Sequence, residues 1–253
     1  MKQIVKVRNI TIGDTTKICV SITDNNIEDI IKSFNDFQKL PIDIIEWRFD
    51  YFLYSFTENI DTILDDINFI LSDIKKINNK PIIFTLRSKD EGGDFLLNKD
   101  NYRYLILFYK IIIERQYFDI IDFEFFNIKY KDLKSLVSLS QYNNIKTIFS
   151  NHNFNKTPRE KEIISIIKKM ISLNCDIVKI AYMAKTKKDV INVLNASYRF
   201  SDNIPIIAIS MGQLGSITRI FSCDISFAKL ENSLSNNLGQ IDVIKLKFIL
   251  DSI

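Results

Sequence analysis

Pro81-Ile82-Ile83-Phe84-Thr85-Leu86-Arg87 is a short run, apolar on both faces of an extended chain, that ends on a cation. Such a strand is covered by protein on both sides, as in a parallel sheet flanked by helices. Just before it, Ile60, Ile63, Leu64, Ile67, Phe69, Ile70, Leu71 and Ile74 recur at helical spacing. The same pairing continues outward in both directions. Strand-like runs occupy Ile18–Ile22, Ile42–Arg48, Asp119–Phe125, Ile145–Ser150, Asp176–Ala181, Pro205–Ser210 and Ile225–Ala228. Helical spacing returns in Ile163, Ile166, Ile167, Met170 and Ile171, and again in Val190, Ile191, Val193 and Leu194. Thr57-Glu58-Asn59 and Thr157-Pro158-Arg159-Glu160 read as helix starts, the second with Thr as N-cap, Pro at N1 and Glu at N2. About eight strand–helix units in one chain predict a closed (β/α)8 TIM barrel, one domain over residues 1–253. An open doubly wound sheet is the alternative, and no Gly-x-Gly-x-x-Gly follows the first strand to support its dinucleotide-binding form. No internal repeat and no interdomain linker stands out.

The composition sets limits. The chain has 253 residues, 46% hydrophobic and 26% charged, as in ordinary globular proteins rather than disordered or fibrous ones. Lys and Arg number 34 against 31 Asp and Glu, too even a balance for a dedicated nucleic-acid binder. Cys19, Cys175 and Cys223 are irregularly spaced, which argues against a disulfide framework and a zinc site and suits a reducing cytoplasm. No run reaches the roughly 18 apolar residues of a membrane span, and the charge-interrupted N-terminus lacks the apolar core of a signal peptide.

In a barrel of this kind chemistry gathers at the C-terminal ends of the strands. The polar residues there, in order, are Ser21, Glu46 and Arg48, Arg87, Asp122 and Glu124, His152, Lys179, then Ser210 and Met211. Lys179 lies in Cys-Asp-Ile-Val-Lys-Ile-Ala, a strand otherwise fit for burial. It reads either as a lysine snorkelling from a strand end or as a desolvated amine. Neighbouring cations such as Arg48, Arg87 or Arg219 would lower the pKa of such an amine. A neutral amine attacks ketones and aldehydes to form a Schiff base. His152 is the only histidine, follows a strand directly and, with a near-neutral pKa, suits proton transfer. One imidazole does not make a zinc site. Arg87-Ser88-Lys89-Asp90-Glu91-Gly92-Gly93-Asp94 offers a basic anchor and a carboxylate able to orient His152. In Glu46-Trp47-Arg48, Glu46 can accept from substrate hydroxyls and Arg48 can donate. The fork of Arg219 suits a substrate carboxylate.

These motifs together resemble type I 3-dehydroquinate dehydratase of the shikimate pathway, nearly end to end and in order. They are Ile44-Ile45-Glu46-Trp47-Arg48-Phe49-Asp50, Phe84-Thr85-Leu86-Arg87-Ser88 with Glu91-Gly92-Gly93, Asp122-Phe123-Glu124-Phe125, Ser150-Asn151-His152-Asn153-Phe154 running on to Thr157-Pro158, Val178-Lys179-Ile180-Ala181, Ser210-Met211 with Arg219, and Gly239-Gln240-Ile241. The resemblance implies a carbon–oxygen lyase that needs no cofactor and no metal, commonly a homodimer, acting on the small molecule 3-dehydroquinate. It implies an imine on Lys179, proton transfer by His152 and orientation of His152 by Glu91. Arg219 and Gln240 would hold the carboxylate end, and Glu46, Arg48, Arg87 and Ser21 the ring hydroxyls. Met211 would pack against the ring, and Trp47 is counted with the substrate-binding set.

Three departures from the family pattern are visible. The usual Ser-Ala-Pro-Gly-Gln is here Ser235-Asn236-Asn237-Leu238-Gly239-Gln240, so the family serine maps to Asn236 by spacing or Ser235 by identity. His-Asp-Phe is His152-Asn153-Phe154, and a usual Met is Ile209. The residues also fit another class I Schiff-base barrel lyase or aldolase, or a non-catalytic ligand-binding relative. Arg219 with Gln240, without a phosphate-binding glycine turn, favours a carboxylated polyol over a sugar phosphate.

Overall fold

The computed structural model describes residues 3–53, 60–230 and 238–253. It opens on two antiparallel strands, β1 (Val5–Val7) and β2 (Ile10–Ile12). Parallel strands then alternate with helices: β3 (Lys17–Ile22), α1 (Ile27–Phe37), β4 (Ile44–Arg48), α2 (Ile60–Ile74), β5 (Ile82–Thr85), α3 (Tyr102–Glu114), β6 (Ile120–Glu124) and α4 (Tyr130–Tyr142). The second half continues with β7 (Lys146–Asn153), α5 (Glu160–Ile171), β8 (Ile177–Met183), α6 (Lys187–Tyr198), β9 (Ile206–Met211), α7 (Thr218–Phe221), β10 (Ile225–Ala228) and α8 (Val243–Leu250). From β3 to β9 each parallel strand pairs with the next, and β10 pairs with β3. Between β9 and β10 the ring is closed by the Asp224 amide donating to Ile206 O at 2.8 Å and the Ala208 amide to Ser222 O at 3.1 Å. This is the expected (β/α)8 barrel.

Strand alternation sorts the side chains into two cores. Outward-facing Trp47, Phe84, Phe123 and Phe149 pack with the helices in an aromatic-rich layer, Phe123 lying 4.9 Å from the ring of Tyr109 on α3. Inward, one residue from each barrel strand forms a fully buried floor: Cys19, Ile44, Ile83, Ile120, Ile148, Ile177, Ile207 and Ile225. Each isoleucine there contributes roughly 1.5–3 kcal/mol by burial. Val5, Val7 and Ile12 of the β1–β2 hairpin join this cluster from below. The sequence reading passes over the hairpin because each of its strands has only three residues.

A repeat is in fact present. Asp43-Ile44, Asp119-Ile120, Asp176-Ile177 and Asp224-Ile225 open alternate strands. Each aspartate accepts a backbone N–H from the start of the preceding strand, those of Ile18, Ile82, Thr147 and Ile206, at 2.7–2.9 Å. Three residues beyond these aspartates lie Glu46, Asp122, Lys179 and Phe227, a single layer of four from alternate strands. The repeat therefore clips the sheet at its base and sets the level of the polar layer above.

Two local expectations change. Strands β7 and β8 run past their predicted ends, pairing His152 with Ala181 and Asn153 with Tyr182. His152 therefore sits in a strand, on the same face as Ser150. Helix α5 starts at Glu160 after Arg159, not after Thr157. Pro158 disfavours helical backbone at Thr157, and the Thr157 hydroxyl donates instead to Met183 O at 2.8 Å. The start is closed by the Glu162 carboxylate, which accepts the Arg159 amide at 2.9 Å. Thr57-Glu58-Asn59 lies outside the described residues.

Candidate active site

Two residues above the floor on each strand come Ser21, Glu46, Thr85, Asp122, Ser150, Lys179, Ile209 and Phe227. Two further along, strands and strand ends present Arg48, Arg87, Glu124, His152, Ala181 and Met211. A floor of isoleucine thus gives way to a charged storey within two pleats. A cavity of about 120 Å3 opens on it, lined by Ser21, Glu46, Arg48, Arg87, Glu91, His152, Lys179, Met211, Arg219 and Gln240. Larger cavities lie elsewhere, one of about 270 Å3 at Leu194, Tyr198 and Phe221 and two of about 540 and 560 Å3. The 540 Å3 cavity borders the opposite end of the barrel at Lys17, Asp43 and Asp224, the 560 Å3 cavity borders Arg8, Ser72 and Arg115, and none of the three gathers these groups.

Lys179 is 4% exposed, so its amine does not snorkel to solvent. Its nearest charged neighbours are carboxylates, not the guanidinium groups expected from the sequence. Nζ lies 3.0 Å from Asp122 Oδ2 and 3.5 Å from Glu46 Oε1, and 4.3 Å over the centre of the Phe227 ring. The four-residue layer explains this, because Glu46, Asp122 and Phe227 are the other three members of the lysine's own storey. Glu46 also accepts from the Ser21 hydroxyl at 2.5 Å and from Thr85 Oγ1 at 2.8 Å. Burial would raise the Glu46 carboxyl, but Lys179, Arg48 and the Ser21 hydroxyl outweigh it and hold it below the usual range. Asp122 behaves likewise: burial is outweighed by Arg87 and Lys179.

Arg87 is locked in place. Its Nη2 donates to Asp122 Oδ2 at 2.8 Å and its Nη1 to Ser150 Oγ at 2.8 Å and Glu124 Oε1 at 3.2 Å. Arg48 is gripped bidentately by Asp50 through two 2.8 Å bonds. Asp50 also accepts the backbone amides of Arg87 and Asp94, tying two loops to one carboxylate. Asp50, Thr85 and Ser150 are structural members of the site that the sequence reading left without a role, as it left Asp122 and Glu124. The signal was available: in the C-terminal halves of β4, β6 and β7 polar residues stand two apart on one face, Glu46 and Arg48, Asp122 and Glu124, Ser150 and His152.

Glu91 reaches His152 because Gly92 and Gly93 turn the chain after β5. Gly92 has φ +82°, and a Cβ on Gly93 would stand 2.1 Å from Arg87 O. Glu91 Oε2 is 2.8 Å from His152 Nδ1 and accepts the His152 amide at 3.0 Å. Burial, followed by Arg87, Lys179 and Arg48, pushes His152 well below its ordinary value, rather than leaving it near neutrality. Burial and the Glu124 carboxylate push Glu91 up to about 8. Nδ1 thus faces Glu91, and the imidazole belongs to the cavity lining.

Arg219 differs from the other cations. It is 3% exposed, yet its bonds go to backbone carbonyls: Nε to Gly239 O, Nη2 to Leu238 O and Nη1 to Phe227 O, at 2.9–3.1 Å. Among the described residues no carboxylate pairs with it. Burial lowers it to about 10, so it stays cationic at neutral pH. Of its five N–H groups two remain for a ligand, and Gln240 lines the same cavity.

One substrate-binding assignment is corrected. Trp47 is fully buried on the opposite face of β4 from Glu46 and Arg48, 5.3 Å from the ring of Phe49 and 5.9 Å from that of Phe118. The period-2 alternation of the strand turns it toward the helices, so it does not line the cavity. Ser235 and Asn236 lie outside the described residues.

The family model described as Type I 3-dehydroquinase matches residues 18–253. A 3-dehydroquinate dehydratase of Alkaliphilus oremlandii (strain OhILAs) is 38% identical, covering 100% of this chain and 98% of its own. One from Clostridioides difficile (strain 630) is 36% identical over 99% of this chain and 97% of its own. The crystal structure of a type I 3-dehydroquinate dehydratase from Clostridium difficile with covalent modified comenic acid superimposes with a TM-score of 0.88 at 35% identity. That match covers 100% of this chain and 98% of the other. The polar storey described above therefore stands in a chain that belongs to the type I 3-dehydroquinase family.

Proposed function

We propose that this chain performs the reaction of its family, loss of water from 3-dehydroquinate to give 3-dehydroshikimate in the shikimate pathway, through an imine on Lys179. The observation that carries the proposal is a single cavity lined by an amine, a base and a buried cation that, among the described residues, has no carboxylate of its own: Lys179, His152 and Arg219. Arg219, with Gln240, takes the substrate carboxylate. Ser21, Glu46, Arg48 and Arg87 take the ring hydroxyls, and Met211 packs against the ring. The amine of Lys179 gives up a proton, with Asp122 and Glu46 within reach to accept it, and adds to the ketone carbon. Loss of water from that adduct leaves a protonated imine. The imine draws electrons from the neighbouring C–H bond, which a ketone does far less well. His152 removes that proton and returns one to the departing β-hydroxyl. Water then hydrolyses the imine and frees the lysine. One positioned base contributes about 10²–10⁴-fold, so the imine and the prepaid orientation of the groups supply the rest.

The reaction needs no cofactor in this scheme, and residues 1–253 act as one catalytic domain. A cytoplasmic setting is part of the same reading, supported by three buried, unbridged cysteines. So is a homodimer: Ile217 just before α7, Phe221 on α7, and Ile244 and Phe248 on α8 expose apolar surface that a second copy would cover. Sedimentation at the mass of one chain at micromolar concentration would remove the dimer. The imine is tested by incubation with 3-dehydroquinate and borohydride, which should add the reduced substrate's mass to Lys179 and abolish turnover. Turnover without that adduct would end the mechanism.

A further inference from the structure

Glu91 is held from behind by two residues that do not reach the cavity. The Asn151 side-chain amide donates to Glu91 Oε1 at 3.1 Å, and the Tyr182 hydroxyl donates to Asn151 Oδ1 at 2.9 Å. Tyr182 is fully buried on β8 and sits beside Asn153 in the β7–β8 ladder, so its hydroxyl cannot turn to water. A carboxylate only accepts, and the carbonyl end of Asn151 is already engaged by the tyrosine. With Glu91 ionised, the amide turns its NH2 to the carboxylate and its carbonyl to the tyrosine hydroxyl. Two N–H groups donate to Glu91, Asn151 Nδ2 and the His152 amide, and His152 Nδ1 meets the same group at 2.8 Å.

We propose that Asn151 and Tyr182 are positioning residues: the chain Tyr182–Asn151–Glu91 keeps Glu91 an acceptor, so the imidazole of His152 carries its proton on Nδ1 and turns an unprotonated Nε2 to the substrate. The proposal rests on His152 acting as the base. In the opposite arrangement a protonated Glu91 donates to Nδ1, the ring proton moves to Nε2, and no base faces the cavity. The surroundings make that arrangement a real competitor. Burial, then the like charges of Glu124 and Asp122, favour protonation of Glu91, and Arg87, 3.6 Å away, opposes them. The Asn151 amide is the neutral donor that adds to the side of Arg87.

His152 is the only histidine in the chain, so its ring nitrogens can be observed without ambiguity. Long-range proton–nitrogen correlation spectra of 15N-labelled protein, recorded at about pH 9 where Glu91, pushed up to about 8, is ionised, should show the Nδ1–H tautomer in the native chain. Asn151→Leu should shift the population toward Nε2–H and move the acid limb of kcat/KM to higher pH by about half to one unit, the worth of one hydrogen bond. Tyr182→Phe removes a single oxygen from a residue whose ring packing is kept, and should move both readouts the same way by less. Native tautomer and native pH limb in folded Tyr182→Phe and Asn151→Leu would overturn the proposal; if the leucine variant does not fold, the phenylalanine variant decides it alone. The spectra need no turnover, so a tautomer shift in a chain that fails to dehydrate 3-dehydroquinate would leave the positioning chain standing and remove the base assignment.

Discussion

Replacing Arg219 with methionine separates two roles that the structure gives one side chain. Three of its N–H groups hold the carbonyls of Phe227, Leu238 and Gly239, and two are left for an anion. Losing the first set should loosen the loop for any ligand. Losing the second should penalise only a ligand that carries a carboxylate. Removing one partner of a buried, hydrogen-bonded charge pair costs about 2–5 kcal/mol, or roughly 30- to 5,000-fold in affinity. The low end applies if water reaches the vacated space, and the 3% exposure of Arg219 points to the upper half. The assay is a cycle: dissociation constants of native and Arg219→Met protein for an unreactive carboxylated cyclohexane polyol and for its neutral carboxamide. The native protein should prefer the acid strongly, and the variant should lose nearly all of that preference while weakening for both. Equal losses for acid and amide would show that Arg219 only braces the loop, and the carboxylate would have to bind elsewhere. Arg219→Lys should fall between, since an ammonium keeps the charge but cannot span three carbonyls and a carboxylate in one plane.

Glu91→Gln should move the acid limb of kcat/KM to lower pH. Protonating the Glu91–His152 pair disables the base, so activity rises with pH through the pair's ionisation. The native carboxyl is pushed up to about 8, whereas burial and then Arg87 already push His152 well below 6.5, and the variant removes the anion at Nδ1 that opposes them. A limb in the variant at or above the native one would refute the coupling. At the base of the barrel, Asp176→Ala removes the acceptor of both the Thr147 amide and its hydroxyl, at 2.8 and 2.9 Å. Denaturant unfolding should show a loss of about 1.5–3 kcal/mol, and a loss under 0.5 kcal/mol would deny the aspartate repeat its clamping role.

Which parts of this were legible beforehand follows from the range of each interaction. Pro81–Arg87 and its counterparts declared themselves as buried parallel strands because apolarity on both faces is a local property of the chain. The alternation along β4, β6 and β7 likewise put Glu46, Asp122, Glu124 and His152 near one mouth. Local pattern does not state which face of a strand looks inward, and there Trp47 was misplaced beside Glu46 although one residue apart means opposite sides of the sheet. Nor does it state what meets across the barrel. Lys179 is 133 residues from Glu46 and 57 from Asp122, and only closure of the ring brings the two carboxylates, rather than arginines, to its amine. The same closure turns four scattered Asp-Ile pairs into one repeat, and it gives Arg219 backbone carbonyls where a sequence offers only the expectation of a free fork. Sequence alone thus determined the eight strand–helix units and the identity of the chemical groups, because hydrophobic period and residue type are written along the chain. Tertiary structure decided the partners, because charge and hydrogen bonding act over a few ångströms and the barrel alone determines which residues come that close.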